Sequence, residues 1–393
     1  MGKNVKIRNR VYRAASASLF IYSASAIALP ICLVRISEEL GFNLTQGGSL
    51  GFVTSIEQFF ILFASSFAAA RFGKIRVLRT GLAILAVGLA LFTLSRSFLS
   101  AVLLMLFIGL GNALLEALLT PLVEDLYPKD NGSKMNLLHA FWPVGTCVTV
   151  LVLGQLLSVA VGWRLLFLGL AAAVLVIDLA YPSSHSITLP QSRADFSHMR
   201  EILSTPRFWV FGGALAFSAG AEGAFTFWSA SYIQIHFARL PSAGALGTAA
   251  FAVGMAVGRL ASSRIAGRFG LKRLLAASLI LGLAASCAFF FIASLTTLYL
   301  FLFGMGLCIA CLWPSIQSYA GAELDVDPTV LMIFLSCLGL PGYSSATLLM
   351  GIIGDAKGLQ ASFIIAPVYL AVALVLIVLE KRFSAVPRAR GVR

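Results

Sequence analysis

The sequence predicts an all-α integral membrane protein: twelve transmembrane helices in two six-helix bundles related by a pseudo-two-fold parallel repeat. Three observations lead there: little charge in an apolar composition, apolar runs of crossing length, and short segments that recur in both halves. Of 393 residues 59% are apolar and 11% charged, where a soluble domain carries about 25% charged residues. A hydrocarbon layer of about 30 Å takes about 20 helical residues to cross, so twelve crossings use roughly 240 residues and leave short loops.

The runs fall at 12–38, 46–71, 77–95, 99–126, 135–159 and 165–181, then at 208–236, 242–266, 274–293, 297–320, 329–353 and 360–379. The one sizeable polar interruption carries Pro182, Pro190, Arg193, Asp195, Arg200 and Pro206. The expected organisation is therefore an N-terminal bundle over 1–181, a cytoplasmic linker over 182–206 and a C-terminal bundle over 207–393. Lys3, Lys6, Arg8, Arg10 and Arg13 precede an apolar run that continues to about Leu40, longer than the apolar core of a signal peptide, so an uncleaved first helix is expected.

The formal net charge is +13, which on a soluble chain would point to nucleic acid. Here Lys and Arg collect between runs, where topology and anionic lipid account for them and no nucleic-acid partner is expected. They lie in the N-terminal tail, at Arg71, Lys74, Arg76 and Arg79, at Lys129 and Lys134, in the linker, at Arg264, Arg268, Lys272 and Arg273, and in the tail from Lys381. All these places share one side of an even-numbered topology. The positive-inside rule then puts both termini and the central linker in the cytoplasm, and the plasma (inner) membrane is the expected location. Asp325 and Asp327 share that side, and acidic residues count little in the rule.

The six cysteines all sit inside apolar runs and indicate no disulfide framework. Cys308 and Cys311 form a C-x-x-C pair without the further ligands a metal site needs, so no metal and no cofactor are expected. No phosphate-binding Gly-Lys loop and no nucleophile-and-base constellation is visible, which argues against ATP-driven pumping and against an enzyme. The Asn43-Leu44-Thr45 sequon is given no role.

Arg71-Phe72-Gly73 recurs as Arg268-Phe269-Gly270, each just after the second helix of its half. Gly109-x-Gly111 followed by Pro121 in the fourth helix is answered by Gly304-x-Gly306 followed by Pro314 in the tenth. Parallel repeats of this kind place a substrate site at the midplane between bundles that rock around it.

The glycine-containing basic loop after the second and eighth helices, with the six-plus-six layout, resembles the major facilitator superfamily of secondary transporters along the whole chain. Where that loop signature carries Gly and Asp, this chain has Ser66 and Ala70, and in the second half Ser263 and Gly267, so the usual carboxylate of the inner gate is missing there. Gly109 to Glu116, then Thr120-Pro121, Met135-Asn136, His139 and Phe141, together with Gly220-Ala-Glu222, are similar to the fucose permease branch and its sodium-dependent glucose-transporter relatives. That likeness implies a sugar symporter, although the first run lacks, between 12 and 37, the acidic residue of the proton-coupled type. By analogy the chain is expected to work as a monomer.

An ionised carboxylate in mid-membrane is costly and persists where it faces a wet cavity, has a partner or holds a proton. Glu57, Glu116 and Glu222 are such groups. Asn112, Glu116 and Thr120 stand at i, i+4 and i+8, one face of the fourth helix, and an amide, a carboxylate and a hydroxyl in a row suit the hydroxyls of a sugar. Glu222 has Ser218 and Thr226 one turn away on either side and is a candidate for solute, ion or cross-bundle pairing. His139, with Asn136 at i−3, is a candidate proton relay within reach of Glu116 if their helices are neighbours. Glu116, Glu222, Glu57 and His139 are thus the ion-coupling candidates, with a proton or sodium as coupling ion.

Sugar rings stack on aromatic faces, which brings in Trp142, Phe225, Trp228, Trp313 and Tyr343. Trp313 and Gln317 share a face beside Pro314, and together with Asn112, Glu116, Thr120, Glu222 and Trp228 they make the expected substrate contacts. Pro30, Pro121, Pro143, Pro314 and Pro341 are expected to bend helices, and Gly254-x-x-x-Gly258 to allow close helix contact. The expectation is cation-coupled uptake of a monosaccharide, such as a hexose, by alternating access, in contact with membrane lipid. The competing expectations are a proton-driven exporter of drugs or other amphipathic solutes on the same fold, and a non-transporting membrane sensor or scaffold.

Overall fold

A computed structural model of the chain describes residues 2–127, 133–182, 199–324, 326 and 328–383. Lys129, the linker over 183–198, Asp325, Asp327 and the tail from 384 lie outside the described residues, as do the side chains of Ser66, Met135, Asn136 and residues 263–269. The described residues are helical, with no strand among them.

The first half consists of α1 (Gly2–Leu40), α2 (Leu44–Phe72), α3 (Lys74–Phe92), α4 (Phe98–Leu126), α5 (Ser133–Ser158) and α6 (Trp163–Ala180). A short α7 (Met199–Ser204) falls within the stretch expected as linker. The second half is α8 (Pro206–His236), α9 (Pro241–Phe269), α10 (Leu271–Ala288), α11 (Leu295–Ile309), α12 (Leu312–Glu323), α13 (Pro328–Lys357), α14 (Leu359–Ser362) and α15 (Ile365–Leu379). Among the described residues eleven stretches are long and apolar enough to cross a membrane, and α2, with 29 residues, is the twelfth.

Two of the predicted runs are not single helices. The tenth breaks after Ile309, and Pro314 supplies the reason: without an N–H it leaves the carbonyl of Ala310 unclaimed by the helix. The twelfth begins with the short α14, and Pro367 stands in the first turn of α15. The first helix also starts earlier than its apolar run, since the basic segment continues it back to Gly2.

Local chemistry sets the other ends. Asn43 caps α2, its side chain accepting from the Gln46 N–H at 2.9 Å while the Gln46 side chain accepts from the Asn43 N–H at 3.0 Å. Ser97 caps α4 in the same way and Ser294 caps α11. The repeated Arg-Phe-Gly segment ends in Gly73 at φ 85° and Gly270 at φ 78°. Positive φ suits glycine and lets each second helix stop and the next start without a loop.

The helices of α1–α6 pack on one another, as do those of α8–α15. The two groups meet chiefly where α2 lies along α13 and α5 along α9, with α1 beside α8. Those seams are tight at the end away from the termini. There Gly48 leaves room for the backbone of Thr347 and Leu348, Gly351 for that of Leu44, and Gly154 for Ala245. The N–H of Ser242 donates to the Ser158 hydroxyl at 2.8 Å, from α9 to α5. Asp355 at the end of α13 accepts from the first turn of α2. His139 on α5, nearer the termini, and Phe60 and Phe67 on α2 are exposed. The two groups are therefore latched together at the end away from the termini.

Candidate functional site

Two carboxylates, one from each group of helices, organise the site. Glu116 projects from α4 one turn before Thr120 and is half-buried. The Tyr22 hydroxyl of α1 is within hydrogen-bonding reach of it, and the Tyr22 ring packs edge-on against Trp142 of α5 at 4.7 Å between centroids. Asn112, one turn along, is 4% exposed, and its Oδ1 accepts from the Ser25 hydroxyl at 2.7 Å. Thr120, one turn the other way, lies 3.3 Å from Nε2 of His139. The predicted stripe thus exists, and it faces α1 and α5. Its Asn112 end is committed to helix packing, whereas Glu116 and Thr120 stay partly accessible.

In the second group Glu222 on α8 is half-buried and faces Arg259 of α9, whose Nη2 is 3.8 Å from Glu222 Oε1. The Thr226 and Tyr343 side chains are in hydrogen-bonding reach of each other, and Tyr343 lies within electrostatic range of Glu222. The cation partner comes from the same group of helices, and among the described residues Glu222 makes no pair across the seam. Arg259 is placed by its neighbours. Gly254 and Gly258 bring α9 onto α11, where a Cβ at 258 would sit 2.8 Å from the Leu307 carbonyl. The next residue is Arg259, and its Nε donates to the Ala310 carbonyl left free by Pro314, at 3.4 Å.

His139 lies within electrostatic range of Arg259, across the α5–α9 seam. It bonds Thr120 rather than Glu116, the partner that the sequence offered for it. The structure therefore links Thr120, one turn from Glu116, and its partner His139 to Arg259 and Glu222 of the other group across the α5–α9 seam.

Other predicted residues lie elsewhere. Trp228 is fully buried and its indole N–H donates to the Thr347 carbonyl at 3.1 Å. It packs α8 on α13 and does not reach the space between the groups in this conformation. The Gln317 amide donates to the Ser336 hydroxyl at 3.0 Å, and the Trp313 ring lies against Gly339, so both side chains address α13 within the second group. Glu57 turns toward Gly109 and Thr54 at the α2–α4 seam, and its buried Oε2 has no partner among the described residues.

Sequence reasoning missed Tyr22 and Arg259. An arginine inside the apolar run 242–266, next to the glycine pair and more than a turn before the basic end that begins at Arg264, was the signal for the second. Tyr22 sits on a helix without an acidic residue near it and gave no signal.

The family model described as Major Facilitator Superfamily matches residues 14–247 and 239–392. No curated protein matches the chain. Among solved structures, a bacterial homologue of the human lysosomal transporter Spinster, inward-facing and unoccupied, superposes with a TM-score of 0.81 at 16% identity, over 96% of this chain and 98% of that one. The nucleoside transporter NupG superposes at 0.76 with 13% identity, over 96% and 99% of the two chains. The E. coli fucose:proton symporter FucP superposes at 0.67 with 18% identity, over 95% and 99%. At these identities the likeness is one of fold.

Proposed function

The chain belongs to the major facilitator superfamily, and from that premise we propose that it imports a monosaccharide together with a proton by alternating access. It is a multi-pass membrane transporter; the solute, the ion and the direction are the proposal. The observation that carries it is the pair of half-buried membrane carboxylates, Glu116 and Glu222, one on each group of helices. Intramembrane carboxylates mark ion and substrate pathways.

A proton suits these carboxylates better than sodium. Glu116 has a phenol beside it and Glu222 a guanidinium, both donors, whereas a sodium ion asks for several oxygen acceptors. Hydroxyl recognition fits the same groups, since Glu116, Thr120 and His139 offer acceptors and a hydroxyl at hydrogen-bonding spacing. In FucP and NupG, whose names state fucose and nucleoside, the same fold carries hydroxylated solutes.

With the basic loops in the cytoplasm, the latched seam faces outward, and on this reading the site is reached from the cytoplasm in this conformation. Loading from outside then requires the far ends of α2 and α13, and of α5 and α9, to part while the opposite ends close. We further propose that the chain works as a monomer in the plasma (inner) membrane, with no cofactor beyond the coupling ion.

The test is counterflow of labelled fucose, galactose, glucose and mannose into proteoliposomes holding the protein, run with and without an inward proton or sodium gradient. Exchange of one sugar, with accumulation only under the proton gradient, is the expected result. Well-folded protein that exchanges none of them sinks the reading.

A further inference from the structure

This inference rests on the monosaccharide reading and asks what else that solute carries. Arg259 has five N–H donors in a fixed fork. Among the described residues it makes one hydrogen bond, from Nε to the Ala310 carbonyl at 3.4 Å, which is long for such a bond. Its nearer carboxylate oxygen stands at 3.8 Å, beyond hydrogen-bonding distance. Elsewhere in this chain buried cations are gripped: Lys74 is 2.6 Å from Asp125, and Arg207 is 2.7 Å from Glu323 and 2.5 Å from Glu380. The side chain of Arg259 is 35% exposed, and it stands between Glu222 of its own group and His139 of the opposite one.

A guanidinium in mid-membrane is costly to bury and is kept where it has a partner or a task. Here the partner is slack, and the partly exposed fork lies beside the α5–α9 seam, in electrostatic range of His139. We propose that Arg259 is the anion-recognition group of the transport site, and that the solute is a sugar acid carrying one carboxylate beside its hydroxyls. A planar carboxylate takes two parallel bonds from such a fork. One negative charge is the match: when Glu222 holds a proton, a single guanidinium has one positive charge to offer, enough for a carboxylate and too little for a phosphate dianion. The side chain is held from behind by Ala310, at the break that Pro314 makes, so the fork is presented without having to fold out.

The experiment compares counterflow of labelled glucuronate and galacturonate with that of glucose and galactose, and with lactate and benzoate, in proteoliposomes of the unaltered protein and of Arg259→Gln and Arg259→Lys. The expected result is a preference for each uronate over its hexose of about tenfold or more, as a bidentate charge-assisted pair implies. Arg259→Gln abolishes that preference, and Arg259→Lys, which keeps the charge and loses the fork, retains part of it.

The comparison within the unaltered protein decides the matter even if no variant folds. Hexoses exchanged as fast as their uronates overturn the acid while leaving the monosaccharide reading in place. A uronate preference that survives Arg259→Gln in folded protein overturns the role of Arg259. Exchange of lactate or benzoate alone, lost in Arg259→Gln, sinks the monosaccharide reading and keeps the anion site. Exchange of none of these solutes overturns both.

Discussion

Asp355, at the end of α13, holds Thr45, in the first turn of α2, by two bonds: its Oδ2 accepts from the Thr45 N–H at 2.8 Å and from the Thr45 hydroxyl at 2.5 Å, while Oδ1 accepts from the Leu44 N–H at 3.0 Å. A carboxylate from one group of helices thus caps a helix of the other. It sits at the positive end of the α2 dipole and satisfies N–H groups that the helix cannot.

The capping carboxylate fixes which end of the molecule is closed. Replacing Asp355 by Ala removes a cap worth about 1 kcal/mol, a factor of about 5 in population, whereas Asn keeps one accepting oxygen. Spin labels at Arg96 and Phe291, exposed near the far ends of the two groups, should report a longer distance component in Asp355→Ala that is rare in the unaltered protein. An unchanged distance distribution would mean that the glycine-lined seams alone keep this end shut.

Glu116 and Tyr22 should separate movement from coupling. Glu116→Gln keeps the size and an oxygen that can accept from Tyr22 and loses the charge change, so solute exchange persists while accumulation beyond equilibrium is lost. Tyr22→Phe removes the phenol beside Glu116 and should weaken accumulation without abolishing it. Accumulation that survives intact in Glu116→Gln moves the coupling to Glu222.

How far the residues alone foretell such relationships varies with the kind of signal. The twelve crossings are legible because a bilayer demands long apolar runs, and the repeat because Gly73 and Gly270 keep the same left-handed backbone. Glu116 and Glu222 stand out because a carboxylate in hydrocarbon needs a reason. Which face of a helix meets lipid, neighbour or cavity is far less legible, since all three are lined by apolar side chains. That is why Trp228 reads as a stacking surface and is in fact sealed between α8 and α13. Asp355 is invisible for another reason: its partner Thr45 is 310 residues away in sequence.

Glu380 should be a structural requirement rather than a transport residue. It is fully buried, and it accepts from Arg207 at 2.5 Å, from Lys272 at 3.0 Å and from Tyr319 at 2.8 Å. Removing one partner of a buried ion pair costs about 3–5 kcal/mol because the remaining charges stay uncompensated. Glu380→Ala should therefore lower the melting temperature in detergent well below that of Glu116→Gln and reduce the yield of folded protein. Equal melting temperatures for the two variants would show that Arg207 finds enough in Glu323 alone.

Pro314 tests the link between backbone and site. Pro314→Ala returns an N–H that can claim the Ala310 carbonyl and join α11 to α12, and it removes a residue that disfavours helix by about 3 kcal/mol. Melting temperature should hold or rise. Arg259 loses its one hydrogen bond and the fork is no longer braced, so solute exchange should slow although no side chain at the site has been touched. If bracing is the whole effect, Pro314→Ala added to Arg259→Gln should cost nothing further, a non-additive result that marks two residues acting through one interaction. Additive losses would place the effect of Pro314 in the rocking of the helices instead, because a bend is needed wherever the tenth crossing must flex.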